Sequence, residues 1–251
     1  MRALVVVPTY NEVASVEQVV GQSLASDPGL HVLVVDDASP DGTGALADAL
    51  AGGNGRLHVL HRSRKQGLGS AYRAGFAWGL AHGYEALAEM DADASHDPAD
   101  LPRLLQALAG ADVVVGSRYV PGGAVEDWSR HRLLLSRGGN AYARAVTGLH
   151  LADATSGFRA FRPVVLRAIR LQDLRSDGYA FQLETALRAW RLGFRLVEIP
   201  IIFTERRQGA SKLTKAVVVE AVARVAVWGL TGPRGPAAVH PASVAAPSAS
   251  S

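Results

Sequence analysis

Short apolar runs rich in valine divide the first half of the chain and set its predicted architecture. They lie at residues 3–8, 31–37, 57–61, 86–93 and 111–117. Segments with helical spacing follow the first four runs. Uninterrupted rather than alternating hydrophobicity indicates strands that are buried on both faces, and alternation of strands with helices indicates parallel pairing. The pattern therefore predicts an α/β fold with a central, mostly parallel sheet flanked by helices.

Beyond residue 120, helical patterns dominate. They predict helices at residues 131–147, 163–170 and 179–192, a strand at 195–202 and a last helix at 213–230. The last helix is apolar around most of its circumference but carries charges, so we expect it to lie at a membrane interface or to pack on the sheet rather than to span a bilayer. Residues 231–251 are rich in Pro, Ala and Ser and are predicted to be a disordered tail. Residues 1–230 are predicted to form a single domain.

Composition narrows the class of protein. Hydrophobic residues make up 48% and charged residues 20% of the 251 residues, which is typical of a folded globular protein. Cysteine is absent, which excludes disulfides, thiolate metal sites and a cysteine nucleophile, and favours a reducing compartment. The net charge of +3 suits an anionic ligand without choosing one. A nucleic-acid partner is not expected, because the arginines are dispersed and form no stripe interleaved with aromatic residues.

Acidic pairs follow two of the predicted strands. Asp36 and Asp37 end the second run, and Asp91 and Asp93 end the fourth. Ligands of open parallel sheets bind beyond the carboxyl ends of the strands, and neighbouring carboxylates there are costly unless a cation neutralises them. Hard oxygen ligands suit Mg²⁺ or Mn²⁺, so the second pair predicts a metal ion that also contacts a substrate phosphate. A solvated turn or a helix cap is the alternative for either pair taken alone.

The common glycine-rich phosphate loops are missing. No G-x-G-x-x-G follows the first strand, and no G-x-x-x-x-G-K-[ST] occurs. The glycines of GLGSAYRAG, residues 67–75, suit helix packing as well as ligand binding. A nucleoside diphosphate held by a metal ion and by Arg or Lys is the interpretation that remains. Arg206, Arg207 and Lys212 follow the last predicted strand and are candidates, with a solvated loop as the alternative.

A series of segments resembles the dolichyl/polyprenyl-phosphate mannose synthases, which are inverting family-2 glycosyltransferases of GT-A type. The segments are, in order, VVPTYNE, VVDDASPDGT, GLGSAYRAG, MDADASHDP, VGSRY, DATSGFRAF, SDGYAFQLE and ERRQGASK. They extend the resemblance over roughly residues 3–230. The resemblance implies a GT-A-type nucleotide-sugar-binding domain that transfers mannose from GDP-mannose to a polyprenyl (dolichyl) monophosphate with inversion, using Mg²⁺ or Mn²⁺.

The same resemblance assigns roles to residues. Those implied to line the guanosine pocket are Pro8, Tyr10, Glu12, Val35 and Asp37. Those implied to hold the metal ion and the diphosphate are Asp91, Ala92 and Asp93, with Ser95 as a third metal ligand where the family often has Gln. Those implied to approach phosphate or sugar are Arg118, Arg206 and Lys212. Those implied to lie near the sugar or the acceptor phosphate are Asp177 and Gln182. Apart from the resemblance, Arg132 and Ser136, at the start of a predicted helix, are candidates to bind the lipid phosphate, with an ordinary helix surface as the alternative.

Chemistry and location follow as expectations. The attacking oxygen of a phosphate monoester is already anionic, so no strong general base is required, and His96 is expected behind the site or at the surface rather than as a base. We expect peripheral attachment to the cytoplasmic face of a membrane, with a membrane-protein partner left open. Two alternatives stay open, a hexosyl (glucosyl) transferase that uses a UDP-sugar and a non-catalytic nucleotide-sugar-binding scaffold subunit.

Overall fold

The computed structural model describes residues 1–174, 176–205 and 215–231, and within the last range it describes side chains from Val222 onward. The strands are β1 Ala3–Thr9, β2 Leu30–Asp36, β3 Leu57–His61, β4 Ala86–Glu89, β5 Val113–Ser117, β6 Ala124–Glu126, β7 Arg159–Phe161, β8 Leu196–Pro200 and β9 Ile202–Thr204. The helices are α1 Val16–Ser26, α2 Thr43–Ala51, α3 Leu68–Ala81, α4 Leu101–Ala107, α5 Arg130–Thr147, α6 Pro163–Ala168, α7 Gly178–Arg191 and α8 Lys215–Thr231.

A seven-stranded sheet has the strand order β3-β2-β1-β4-β7-β5-β8, and β6 and β9 form a separate two-stranded sheet. Strand β1 pairs in parallel with β2 and β4, and β5 pairs in parallel with β8. The prediction of a mostly parallel sheet flanked by helices is confirmed. Strand β7 runs antiparallel between β4 and β5, and the sequence did not reveal it because three residues are too few to show a pattern.

The strand predicted at residues 195–202 is divided in two by the structure. The backbone N–H of Ile201 donates to the carbonyl of Ser117 at 3.1 Å, and the Ile201 side chain is buried. The chain leaves the large sheet at this residue and enters the small one, where β9 pairs in parallel with β6. One apolar run therefore serves two sheets.

Both faces of the large sheet are covered, which explains the uninterrupted apolar runs. On β1, Leu4 and Val6 belong to one core, together with Phe76 of α3. Val5 and Val7 belong to the other core, which includes Val16 of α1. Alternate side chains of a strand point to opposite faces, so every position of such a strand must be apolar.

Glycines let α3 approach the sheet closely. A Cβ atom at Gly75 would lie 2.3 Å from Cγ1 of Val6, and one at Gly79 would lie 2.5 Å from Cδ2 of Leu87. Any side chain at these positions would push the helix away from β1 and β4. The packing interpretation of the glycines in GLGSAYRAG is thus confirmed for Gly75.

The last helix, α8, packs through one face and exposes another. Val225 is buried, and a Cβ atom at Gly229 would lie 2.4 Å from Cγ1 of Val146 on α5. Val222, Val227 and Leu230 are exposed. Within the described ranges, no helix combines the length and the apolar character that crossing a bilayer requires. The predicted tail after residue 231 lies outside the described residues.

Candidate active site

A pocket of about 460 Å³ opens beyond the carboxyl ends of β1, β2 and β4, at the edge that the sequence predicted. Its volume is in the range that small-molecule ligands occupy. Lining residues that the sequence predicted are Pro8, Tyr10, Glu12, Asp37, Asp91, Ala92, Asp93, Ser95, Arg132, Asp177 and Gln182. Lining residues that it did not assign to the site include Thr9, Lys65, Thr155, Gly157 and Phe203.

Unusual backbone turns follow the three strands that end at the pocket. Asn11 after β1, Ala38 after β2 and Ala94 after β4 have positive φ angles of 61°, 56° and 59°. This region disfavours residues with a side chain, and such strain concentrates at functional sites. At the third turn the backbone N–H of Ser95 donates to Oδ1 of Asp93 at 3.1 Å. The turns bend the chain at once after each strand, so the side chains beside them converge on one pocket.

Asp91 is oriented by Tyr72 from α3. The Tyr72 hydroxyl donates to Oδ1 of Asp91 at 3.1 Å. Burial raises the pKa of Tyr72 far above its usual value, and the negative charges of Asp91 and Glu89 raise it further, so this hydroxyl stays protonated and remains a donor. On the other side, a Cβ atom at Gly157 would lie 3.3 Å from Oδ2 of Asp91. The glycine therefore keeps the second carboxylate oxygen accessible from the pocket.

A buried arginine and a buried glutamate lie beneath this turn. Nε of Arg159 is 3.6 Å from Oε1 of Glu89, and both side chains are fully buried. Arg159 also donates to the carbonyls of Ala154 and Gln182, at 2.7 and 2.6 Å. Burial raises the pKa of Glu89 to about 8, against the opposing attraction of Arg159. At neutral pH Glu89 is therefore mainly protonated, and Arg159 ties the segments that surround Asp91 together.

The two acidic residues after β2 have different roles. Asp36 is buried and accepts hydrogen bonds from the Thr9 hydroxyl at 3.0 Å and from the Ser39 N–H at 3.1 Å, so it shapes the turn. Asp37 lines the pocket, and its Oδ1 lies 2.7 Å from Nη1 of Arg62. Only the second of the pair lines the pocket.

The part of the pocket that was predicted to bind guanosine contains one residue that was not predicted and lacks one that was. Nζ of Lys65 lies 3.8 Å from the centroid of the Tyr10 ring, and both residues line the pocket. No local pattern pointed to Lys65, because it stands in a polar loop after β3. Val35, which was predicted to line the guanosine pocket, has a fully buried side chain in the core, so its side chain does not reach the pocket.

Arg118 has a carboxylate partner that the sequence did not indicate. Its Nε and Nη2 atoms donate to the two oxygens of Asp153, each at 2.6 Å. Burial opposes the charge of Arg118, but Asp153 outweighs burial and raises its pKa. Arg118 does not appear among the residues that line the pocket. That it approaches phosphate or sugar stays a prediction.

Two further acceptor-side predictions fall on α5. Arg132 lines the pocket, its Cζ atom lies 4.0 Å from the centroid of the Trp128 ring, and its Nη1 donates to Glu205. Ser136 accepts a hydrogen bond from the Tyr119 hydroxyl at 2.7 Å and is not among the lining residues. Arg206, Arg207 and Lys212 lie outside the described residues.

Asp177 joins two helix N-termini at the rim. Its Oδ1 accepts hydrogen bonds from the N–H of Gly178, at 2.9 Å, and from that of Gly69 at the start of α3. Gly67 has a φ angle of 92°, and a Cβ atom there would lie 1.8 Å from Oδ2 of Asp177. The carboxylate thus fixes the start of α7, from which the buried Gln182 reaches the pocket.

Comparison of the chain with models of protein families identifies its family. The model of the family described as glycosyl transferase family 2 matches residues 4–170. The chain belongs to glycosyl transferase family 2. It is 52% identical over 230 residues to an undecaprenyl-phosphate mannosyltransferase of Micrococcus luteus, and this alignment covers 92% of this chain and 95% of the relative. It is 52% identical over 233 residues to a polyprenol monophosphomannose synthase of Mycolicibacterium smegmatis, which covers 92% and 88%.

Solved structures of lower identity share the fold of this family 2 glycosyltransferase. A mannosyltransferase from Pyrobaculum calidifontis, in complex with GDP-Man and Mn²⁺, superimposes with a TM-score of 0.59 at 22% identity over 91% of this chain and 62% of that chain. The TarS protein of S. aureus in complex with UDP-GlcNAc gives 0.61 at 18% identity over 96% and 69%. These likenesses confirm the GT-A-type fold.

The charge balance of the family 2 pocket favours a cation. Asp37 is paired with Arg62, and Asp177 lies at two helix N-termini. Asp91 and Asp93 add two carboxylates at one turn. Their hard oxygen atoms fit a divalent cation such as Mg²⁺ or Mn²⁺. In the part of the chain that the structure describes, no group of three or more His, Cys, Asp or Glu side chains is placed to hold a metal ion.

His96 lies behind this turn and not at the surface. Its ring stacks on Phe158, with 4.9 Å between centroids, and meets the edge of Phe203 at 5.2 Å. Burial lowers the pKa of His96 to about 4, so the ring is neutral at physiological pH. The expectation of a position behind the site is confirmed, and the surface alternative is wrong.

Proposed function

We propose that this glycosyltransferase moves mannose from GDP-mannose to a polyprenyl (dolichyl) monophosphate with inversion, and so forms a polyprenyl phosphate mannose. The observation that carries the proposal is the 52% identity, over 92% of the chain, to relatives named for mannosyl transfer to undecaprenyl phosphate and for polyprenol monophosphomannose synthesis. The pocket agrees with it, because one side suits a nucleotide and the other side carries a cation for a phosphate.

The donor occupies the side built by β1 and β2. Guanosine lies against Pro8 and Tyr10, with Glu12 and Asp37 as acceptors for its N–H and hydroxyl groups. Lys65, held over the Tyr10 ring, supplies a positive charge at the same place. The diphosphate then extends toward Ala92, where the acidic turn begins.

Asp91 and Asp93, with Ser95 beside them, hold the divalent cation in this proposal. A bound Mg²⁺ or Mn²⁺ ion supplies positive charge that stabilises GDP as a leaving group. Tyr72 keeps Asp91 oriented through its hydroxyl, and Gly157 leaves room beside the carboxylate. Arg206 and Lys212, from the segment outside the described residues, are proposed to add positive charge to the departing diphosphate.

The acceptor phosphate binds opposite the donor. Arg132 donates hydrogen bonds to its oxygens. Gln182 and Asp177 line the part of the pocket where the sugar and the acceptor phosphate meet. An anionic phosphate oxygen attacks the anomeric carbon, a new carbon–oxygen bond forms on one face, and the bond to GDP breaks on the other face. No residue needs to remove a proton, so alignment is the main contribution of the protein.

A lipid acceptor implies contact with a membrane surface. On α5, Leu134 is 70% exposed and Leu135 is also exposed, and the basic residues Arg130 and Arg137 stand on the same helix. Helix α8, which packs on α5 near Tyr142 and Val146, also exposes apolar side chains. Apolar side chains flanked by basic ones suit an interface with anionic lipid. We place the protein peripherally on the cytoplasmic face.

A transfer assay tests the proposal. Radiolabelled GDP-mannose is incubated with the protein and with vesicles that contain polyprenyl phosphate. Label is expected in the lipid product, lost when a chelator is added and restored by Mn²⁺ or Mg²⁺. UDP-glucose is the competing donor, and preferential transfer of glucose would replace GDP-mannose in the proposal. Absence of transfer from both donors would refute it and favour a non-catalytic scaffold.

A matched pair of variants locates the reaction at the acidic turn. Asp93→Asn is expected to lower kcat by about 100-fold or more, because it removes a carboxylate from the place where charge develops. Asp97→Asn is the control, since Asp97 is exposed and accepts only a capping hydrogen bond from Ala99 at 2.9 Å, which Asn also accepts. Equal activity of the two variants would remove the metal role from this turn.

A further inference from the structure

Arg132 already has an anionic partner at the place where the acceptor phosphate is proposed to bind. Its Nη1 atom donates to Oε1 of Glu205, and its Cζ atom lies over the Trp128 ring, 4.0 Å from the ring centroid. The cation–π contact and the ion pair together restrain the guanidinium. The Glu205 carboxylate therefore occupies the position beside Arg132 that an oxygen of the acceptor phosphate would take.

The small sheet holds this arrangement together. Strands β6 and β9 pair with Glu126 opposite Thr204. Trp128 follows the end of β6, and Glu205 is the first residue after β9. Because the two strands are hydrogen-bonded to each other, the small sheet positions both the Trp128 ring and the Glu205 carboxylate beside Arg132.

The ion pair between Arg132 and Glu205 is weak enough for another anion to replace the carboxylate. The side chains of Arg132 and Glu205 are 22% and 36% exposed, so water and salt reach this pair and weaken it. The pair between Arg118 and Asp153 is the opposite case, since its side chains are 5% and 0% exposed. A phosphate monoester carries close to two negative charges at neutral pH, so it displaces the Glu205 carboxylate more readily than that of Asp153.

We propose that Glu205 is an exchangeable counter-ion that keeps Arg132 aligned and competes with phosphate ligands for it. The inference rests on the proposed function, in which Arg132 binds the acceptor phosphate. A competitor that must leave first lowers the apparent affinity of every ligand of Arg132 by the same factor. Glu205 therefore weakens the hold on the lipid acceptor and on the lipid product alike, which favours release after transfer.

Binding of geranyl phosphate, a short isoprenoid monoester, tests this without transfer. Titration calorimetry on Glu205→Gln is expected to give a Kd lower than that of the natural chain by about 2- to 5-fold, the range that loss of a weak ion pair allows. The Kd for inorganic phosphate is expected to fall by the same factor. The gain should vanish when Arg132→Gln is added to Glu205→Gln, because the competition acts through Arg132.

Glu126→Gln is the matched control. Glu126 is an exposed carboxylate on the same small sheet, and it accepts a hydrogen bond from the Thr204 hydroxyl at 3.2 Å. Its replacement is expected to leave the Kd unchanged. Weaker binding by Glu205→Gln would show that the carboxylate only positions Arg132, and an unchanged Kd would show that it does not compete; either result overturns the proposal.

The transfer assay separates this inference from the proposed function. In Glu205→Gln the KM for polyprenyl phosphate is expected to fall by the factor seen for geranyl phosphate, and the inhibition constant of added polyprenyl phosphate mannose should fall with it. If the natural chain transfers no sugar while Glu205→Gln still binds the monoester more tightly, the proposed function fails and the counter-ion exchange stands. If transfer proceeds and the KM does not fall, the exchange fails alone.

Discussion

The pair formed by Arg118 and Asp153 gives the most direct test of how the site is held together. Two hydrogen bonds of 2.6 Å join the side chains, and Asp153 also accepts the backbone N–H of Arg118 at 3.1 Å. Asp153→Asn keeps an acceptor for that N–H but removes the negative charge. A buried guanidinium is then left without its counter-ion.

Breaking a buried ion pair by removing one partner costs about 3–5 kcal/mol. In a chain of this size each kcal/mol lowers the melting temperature by about 2–4 °C, so we expect a loss of about 6–20 °C at neutral pH. Burial opposes the charge of Asp153, but Arg118 outweighs burial and lowers its pKa below the ordinary 3.8. A lowered carboxyl pKa stabilises above the unfolded value and is lost as the pH falls through the folded value, so the difference should shrink below about pH 4.

Circular dichroism during heating measures the effect. Asp173→Asn is the control, because Asp173 forms an exposed pair with Arg170 at 3.3 Å, with side chains 46% and 72% exposed. Such pairs contribute about 0–1 kcal/mol, so the control should melt close to the natural chain. A loss in Asp153→Asn no larger than that of the control would contradict the buried-pair account.

A double variant separates charge from packing. Adding Arg118→Met to Asp153→Asn removes the unpaired charge, and most of the lost stability should return. No recovery would mean that the loss came from packing. The same variant tests the prediction that Arg118 approaches phosphate, because a stable double variant that keeps kcat and KM would show that substrate binding does not need this guanidinium.

Two further predictions concern the surroundings of the pocket. Glu89→Gln mimics the protonated residue. Between pH 4.5, the ordinary pKa, and about pH 8, the folded protein keeps a proton on Glu89 that the unfolded chain has released, so the natural chain loses stability as the pH rises and the variant does not. The melting temperature of the variant should therefore rise relative to that of the natural chain across this window, and a constant difference in melting temperature would contradict the raised pKa. Gly67→Ala should lose more stability than Gly83→Ala, because both have positive φ but only the first would place Cβ against Asp177; equal denaturant midpoints would contradict the clash.

The sequence revealed the parts of the fold that local patterns encode. Short apolar runs predicted the five strands of the first half, and acidic residues at the strand ends predicted the pocket edge. The partner of Asp177 was hidden, because Gly69 is 108 residues away. Lys65 and Arg159 were hidden for the same reason: their meaning depends on which distant ring or carboxylate the fold places beside them, and no local spacing records that.

The antiparallel strand that the sequence missed explains how the second half of the chain completes the site. Strand β7 pairs with β4 so that Arg159 lies opposite Glu89. Because the two strands run in opposite directions, two residues beyond Glu89 and two residues before Arg159 lie at the same edge, and these are Asp91 and Gly157. A parallel strand at this position would have brought its far end to the pocket instead. The direction of three residues thus decides that a glycine, with no side chain to block it, faces the carboxylate proposed to hold the metal ion.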